Sequence, residues 1–235
     1  MRQFFLDREI KLNDLCELDE NQAHHVKSVL RMAEDDPVRI VDSAFRAFLG
    51  RLKFVDRKVF VYIDSETDSN ESSRRIVYCA AMIKKDKWET VLQKAAELGA
   101  SIIVPVITRR TIIHLEDRDI KKKLERWNKI TLEACQQSNR NDLCEVVEPV
   151  KLKDIDRYKQ DVNLVAYENE DETKLRDQVG DGNICFVIGP EGGFEESEVE
   201  LLKEKDFTCV SLGNRILRAE TAGLYMLSVI DAWGD

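Results

Sequence analysis

A ten-residue stretch, Asp64-Ser65-Glu66-Thr67-Asp68-Ser69-Asn70-Glu71-Ser72-Ser73, carries no apolar side chain and separates two segments of different hydrophobic period. Such a stretch has nothing to bury, so it reads as a linker. Before it, Val38–Val41, Ala44–Val55 and Val59–Ile63 are β-branched and aromatic-rich, which predicts strands. One helix is expected among them, with Asp19 as N-cap and Ala23, Val26, Val29 and Leu30 at helical spacing. Short strands plus one helix predict a small barrel over residues 1–70.

From Arg74 the pattern alternates. Strands are expected at Ile76–Ala81, Ile102–Val106, Leu164–Tyr167, Ile184–Ile188 and Cys209–Leu212. Between them, Asp86 is placed to cap a helix with Trp88, Val91, Leu92, Ala95 and Ala96 on one face, ending at Gly99. Leu124, Trp127, Thr131, Ala134 and Cys135 mark a second amphipathic helix, and Glu198–Lys205 a third. The last, Arg218–Trp233, is apolar over most of its circumference, as a deeply buried helix or a subunit interface would be. Strands alternating with helices predict an α/β domain with a mainly parallel sheet over residues 74–235.

The net charge of −9, from 36 basic and 45 acidic residues, argues at first against a nucleic-acid partner. Divided along the chain, the argument reverses. Residues 1–73 hold 11 basic and 15 acidic residues, residues 74–140 hold 15 and 8, and residues 141–235 hold 10 and 22. The basic middle third contains Lys84, Lys85, Lys87, Arg109, Arg110, the Lys121-Lys122-Lys123 run and Arg126. An anion-binding stripe and a solvated face are both compatible with it.

No apolar run approaches the ~18 residues of a membrane span, and the N-terminus turns polar by Asp7. A cytoplasmic protein without a membrane partner is expected. Cys16, Cys79, Cys135, Cys144, Cys185 and Cys209 form no C-x-x-C pair and read as buried free thiols. His24, His25 and His114 lack metal-site spacing, so no metal is expected.

Three segments could carry chemistry. Ile188-Gly189-Pro190-Glu191-Gly192-Gly193-Phe194 follows a strand, where glycines let backbone approach a ligand. An ordinary tight turn fits the same residues. The pattern is neither G-x-G-x-x-G nor a phosphate loop, which disfavours dinucleotides and nucleoside triphosphates. Leu212-Gly213-Asn214-Arg215-Ile216-Leu217-Arg218-Ala219-Glu220-Thr221-Ala222 also follows a strand. It places Arg215 and Arg218 in the first turns of a helix, where the macrodipole disfavours cations. That suggests an anionic ligand, or an ordinary pair with Glu191 or Glu220. Glu133–Asn141 is a run of amides, a hydroxyl and an arginine that suits base edges and phosphates, or simply a polar helix end.

Taken in order, these segments resemble the RsmE family of ribosomal RNA uridine N3-methyltransferases, within the SPOUT superfamily. The resemblance spans Met1–Phe5, His24–Met32, Gln93–Gly99, Gln137–Arg140, Gly189–Gly193 and Leu212–Ala222. It implies a PUA-like N-terminal RNA-binding barrel and an α/β domain whose mainly parallel sheet is tied in a trefoil knot. It implies a homodimer packed knot against knot, with S-adenosylmethionine held largely by loop backbone. The reaction implied is methylation of N3 of a specific uridine in 16S rRNA of the small ribosomal subunit.

By match of motif, the cofactor loops are Ala166-Tyr167-Glu168, then Ile188, Gly189, Pro190, Glu191, Gly192 and Gly193, then Leu212, Gly213, Arg215, Ile216 and Leu217, with Ala222. Arg218, with Arg2, is implied in catalysis. His25, Arg31, Lys87, Gln137 and Arg140 are implied to grip RNA, as is Arg2. The chain departs from the usual family pattern at Gln136, Asn139, Asn214 and Ala219, the last removing a hydroxyl near the donor. The same knot motifs also fit a SPOUT methyltransferase acting on tRNA, or a noncatalytic RNA-binding protein that retains the pocket.

Overall fold

The computed structural model describes residues 1–69, 74–113 and 117–233; Asn70–Ser73 of the linker and His114 lie outside the described residues. The chain forms two compact units. The first comprises Met1–Glu71 with Cys135–Asp142, and the second Ser72–Ala134 with Leu143–Asp235.

In the first unit, β1 (Arg2–Phe5), β2 (Leu15–Glu17), α1 (Glu20–His24), β3 (Pro37–Val41), β4 (Ala47–Val55) and β5 (Lys58–Thr67) follow in chain order. The sheet order is β1-β3-β4-β5-β2. Among the described residues only the β1–β3 pair is parallel. Alternate residues of β5 (Val59, Val61 and Ile63) are fully buried beside Phe4, Ile10, Val38, Ile40, Phe48 and Leu52. The period-two pattern thus turns one face of each strand into the core.

Asp19 caps α1 as expected: its carboxylate accepts from Gln22 N–H at 2.8 Å, and Asp19 N–H donates to the Gln22 side chain at 3.2 Å. The helix does not continue regularly. His25–Leu30 widens into a π-helical turn that ends at Arg31, with φ of 52°. The widening takes Val29 off the helical spacing, so Val26 is buried while Val29 is 60% exposed.

The second unit contains β6 (Ile76–Ala81), α2 (Lys85–Glu97), β7 (Ile102–Ile107), α3 (Asp117–Gln137), β8 (Glu145–Val146), β9 (Val150–Lys151), β10 (Val162–Ala166), β11 (Ile184–Ile188), α4 (Glu196–Glu204), β12 (Thr208–Val210) and α5 (Ala219–Trp233). The sheet order is β12-β10-β11-β6-β7-β8, with β9 also on β7, and every pair is parallel. This is the α/β architecture with the parallel sheet that the alternation predicts. Every residue of β6 and β11 is buried, as in a sheet covered on both faces.

Lys84, not Asp86, is the N-cap of α2, and its side chain makes no capping bond; Asp86 lies in the first turn instead. Trp88 packs edge-on against Trp127 of α3, with ring centroids 5.6 Å apart. Asn128 serves as a strand edge for β8: its side chain donates to Val146 O and accepts from Val146 N–H, both at 2.9 Å. On α5, Ala222, Gly223, Met226, Leu227 and Ile230 face the core, while Thr221, Tyr225 and Ser228 remain exposed. No helix among the described residues is long and apolar enough to cross a membrane. All six cysteines are free and buried.

Candidate active site

Three adjacent strands, β12, β10 and β11, direct their carboxyl ends to one side of the sheet. The loops that follow them enclose a cavity of about 470 Å³, lined by residues 166–171, 188–194 and 211–222 in part. A crevice beyond the carboxyl ends of parallel strands is where α/β sheets bind ligands, and the size suits a small organic molecule.

The walls are shaped by backbone. Gly193 adopts φ of +67° and donates its N–H to Pro190 O at 2.9 Å, which tightens the β11 loop into a turn. A Cβ there would also stand 3.0 Å from the Glu168 carboxylate. Gly213, at φ of +105°, turns the loop after β12. L-residues rarely adopt either conformation. The wall after β10 is pinned to β12's end: Ser211 N–H donates to Thr173 O at 2.8 Å, and Leu175 N–H to Ser211 O at 3.2 Å.

Chemically the lining is mixed. Ile188, Phe194, Leu212, Ile216 and Leu217 supply apolar surface, and Glu168, Glu170, Asp171 and Glu191 supply carboxylates. Backbone N–H groups of Thr173 and Glu172 hold the Glu170 carboxyl below the usual range. Arg215 and Arg218 border the cavity on the β12 side. Both precede α5 and do not stand in its first turns; Arg218 O accepts the helix's opening bond from Ala222 N–H at 2.8 Å. Glu220 in that first turn pairs with Lys87 at 3.0 Å. Burial pushes the Glu220 carboxyl up, but its own backbone N–H and the Lys87 ammonium outweigh this and hold it low.

A family model described as an RNA methyltransferase domain matches residues 70–231. The "Ribosomal RNA small subunit methyltransferase E" of Bacillus subtilis is 34% identical, over 98% of this chain and 96% of its own length. The chain belongs to this methyltransferase E family. Among solved structures, the Neisseria gonorrhoeae methyltransferase E bound to S-adenosyl methionine superposes with a TM-score of 0.91. It is 30% identical over 100% of this chain and 98% of its own. A Legionella pneumophila protein solved with bound S-adenosylmethionine gives 0.90 at 33% identity, over 99% and 97%.

Within this methyltransferase E chain, the residues read as cofactor loops come together. Tyr167, Glu168, Ile188, Gly189, Pro190, Glu191, Gly193, Leu212, Gly213, Arg215, Ile216, Leu217 and Ala222 all line the one cavity, with Arg218. Gly192 does not line it; its carbonyl accepts from Arg110 at 2.6 Å. Phe194 of the Ile188–Phe194 segment also lines it, as do Glu170, Asp171 and Ser211, which were not singled out from the sequence. Their signal was position alone, in loops directly after strands.

The residues read as RNA contacts divide differently. Arg2, His25, Arg31 and Gln137 are exposed and belong to the first unit. Lys87 belongs to the second unit and is engaged by Glu220. Arg140 turns inward: its side chain is only 8% exposed and donates to Asp142 at 3.0 Å. Its guanidinium is thus engaged within the chain. Part of the basic middle third is likewise paired within the chain, Arg109 with Glu195 at 2.8 Å and Arg126 with Glu89 at 2.9 Å. Lys121 and Lys122 are exposed on α3.

Proposed function

We propose that this chain methylates N3 of one uridine in 16S rRNA of the small ribosomal subunit, with S-adenosylmethionine as donor. The observation that carries the reading is the cavity at the ends of β12, β10 and β11, with glycine-shaped walls and Arg218 at its border. The residues fit this cofactor. Its adenine matches the apolar surface of Ile188, Leu212 and Leu217 beside open backbone, and its cationic groups match the carboxylates of Glu168, Glu170 and Asp171. When bound, it supplies an electrophilic methyl carbon.

The chain's own task is to hold the acceptor nitrogen in line and to make it nucleophilic. Uridine N3 carries a proton and gains nucleophilicity on losing it. Arg218 stabilises negative charge on the uracil oxygens as that proton leaves to solvent. The cation so near the positive end of α5 is accounted for by an anionic partner. Arg2, His25, Arg31 and Gln137 grip RNA, with Lys87 in support. The domain carrying the site is read as a trefoil knot, and the first unit as a PUA-like barrel. The exposed α5 face of Thr221, Tyr225 and Ser228 is read as part of a homodimer contact. The protein acts in the cytoplasm.

Mass mapping of methylated nucleosides in 16S rRNA tests the reading, using a deletion strain with and without the gene restored. One N3-methyluridine should vanish on deletion and return on restoration. An unchanged 16S map, with a methyl group lost from tRNA, would favour the tRNA alternative.

A further inference from the structure

We propose that Arg39 is a positioning residue for RNA: it fixes the Gln3 and Asn139–Asn141 segments so that Arg2 and Gln137 engage RNA as one surface. The proposal rests on the RNA-methylating function above.

Arg39 lies on β3 and is 8% exposed. Its guanidinium donates to the Gln3 side-chain oxygen, to Asn139 O at 3.2 Å, to Asp68 O at 3.4 Å and to Asn141 Oδ1 at 2.5 Å. The acceptors carry the network outward. Gln3 Nε2 donates to Arg140 O at 2.5 Å, and Asn141 Nδ2 donates to Phe45 O at 2.8 Å and Ser69 Oγ at 2.9 Å. Gln3 and Asn141 are themselves buried.

Among the described residues, every acceptor of Arg39 is a neutral oxygen. Burying a guanidinium without a carboxylate is expensive, and a neutral side chain would tie two segments more cheaply. What only the planar five-donor fork does is reach the Gln3, Asp68, Asn139 and Asn141 segments at once. It holds Asn139 in a left-handed conformation, φ 59°, which asparagine tolerates. The network also ends next to two exposed RNA candidates. Arg2 precedes Gln3, and Gln137 lies two residues before Asn139. Without the fork, each would be ordered separately on binding, at an entropic cost to affinity.

The test compares wild type with Arg39→Gln, Asn141→Ala, Gln137→Ala and the double variant Arg39→Gln/Gln137→Ala. The readouts are the Kd for isolated small ribosomal subunits, steady-state kinetics, and calorimetric affinity for S-adenosylmethionine. Arg39→Gln should raise the Kd and KM for the subunit about tenfold, with kcat and cofactor affinity changed by less than about twofold. On the Gln137→Ala background, Arg39→Gln should add clearly less than its tenfold on wild type, because part of its effect acts through that residue and the rest through Arg2. Should Arg39→Gln fail to fold, Asn141→Ala leaves the arginine in place and carries the same expectation. Unchanged subunit affinity in these variants, or full additivity in the cycle, overturns the positioning role. Failure of wild type to methylate any subunit RNA would instead overturn the function on which it rests.

Discussion

Gly223 of α5 sits directly against the hydroxyl of Tyr78 on β6: a Cβ on Gly223 would overlap that oxygen and stand 2.6 Å from the ring's Cζ. Mid-helix glycine usually costs about 1 kcal/mol relative to alanine, so the position is explained by this contact. Tyr78 is fully enclosed and stacks on Phe186 with ring centroids 4.6 Å apart, so it cannot swing aside. Gly223→Ala should destabilise by about 1–3 kcal/mol through overpacking, despite the gain in helix propensity. Urea midpoints would measure it, and an unchanged or raised midpoint would show that α5 has room to shift.

The contact also marks what sequence patterns can and cannot carry. Ile76–Ala81 and Ile184–Ile188 were legible because a strand buried on both faces is a continuous apolar run. The positions of Gly193 and Gly213 after strands marked loops open to a ligand, while reading them as cofactor loops came from the match of motif. By contrast, β8 and β9 have two residues each and show no period. The π-helical turn after His24 was hidden because Val26 and Val29 keep regular spacing on paper. That Arg140 is buried beside Asp142 was likewise not visible, because nothing in a one-dimensional pattern shows the pairing or the burial. The inward fork of Arg39 was equally invisible, since its partners lie up to 102 positions away.

Arg218 borders the cavity from a loop, just ahead of α5, so removing its side chain leaves the glycine-shaped walls intact. Arg218→Ala should therefore bind S-adenosylmethionine within about threefold of wild type while losing about 10²–10³ in turnover, the usual effect of deleting one charge-stabilising donor. Calorimetry and single-turnover methylation separate the two. Normal turnover would remove Arg218 from the chemistry.

Gly193→Ala acts on the wall itself. The new Cβ would carry a left-handed strain of about 1–2 kcal/mol and press on the Glu168 carboxylate at 3.0 Å. Cofactor affinity should fall about tenfold by calorimetry. Gly192→Ala, exposed and outside the lining, is the matched control and should change it far less.

Asp42 makes the first unit acid-sensitive. Burial raises its pKa, but N–H groups of Arg46, Ile10 and Ala44 and the Arg46 guanidinium outweigh that and hold it below the usual range. With the folded value depressed, the stabilisation is fully present above the unfolded value of about 4 and fades as pH falls through the folded one. Asp42→Asn should cost about 1–3 kcal/mol at neutral pH and flatten the acid limb of a urea-midpoint profile. An acid limb equal to wild type would place the sensitivity elsewhere.

Lys121 and Lys122 are exposed on α3, whereas Arg109 and Arg126 are already paired with Glu195 and Glu89. A steering role for the basic middle third therefore falls first on the Lys121-Lys122-Lys123 run. Each lysine that neutralises an RNA phosphate contributes about 0.7–0.9 to the slope of log affinity against log salt. Replacing all three with glutamine should weaken subunit binding at low salt and reduce that slope by up to about 2–3. A slope identical to wild type would mean the run meets no phosphate and only solvates its face, leaving the grip to Arg2, His25, Arg31 and Gln137.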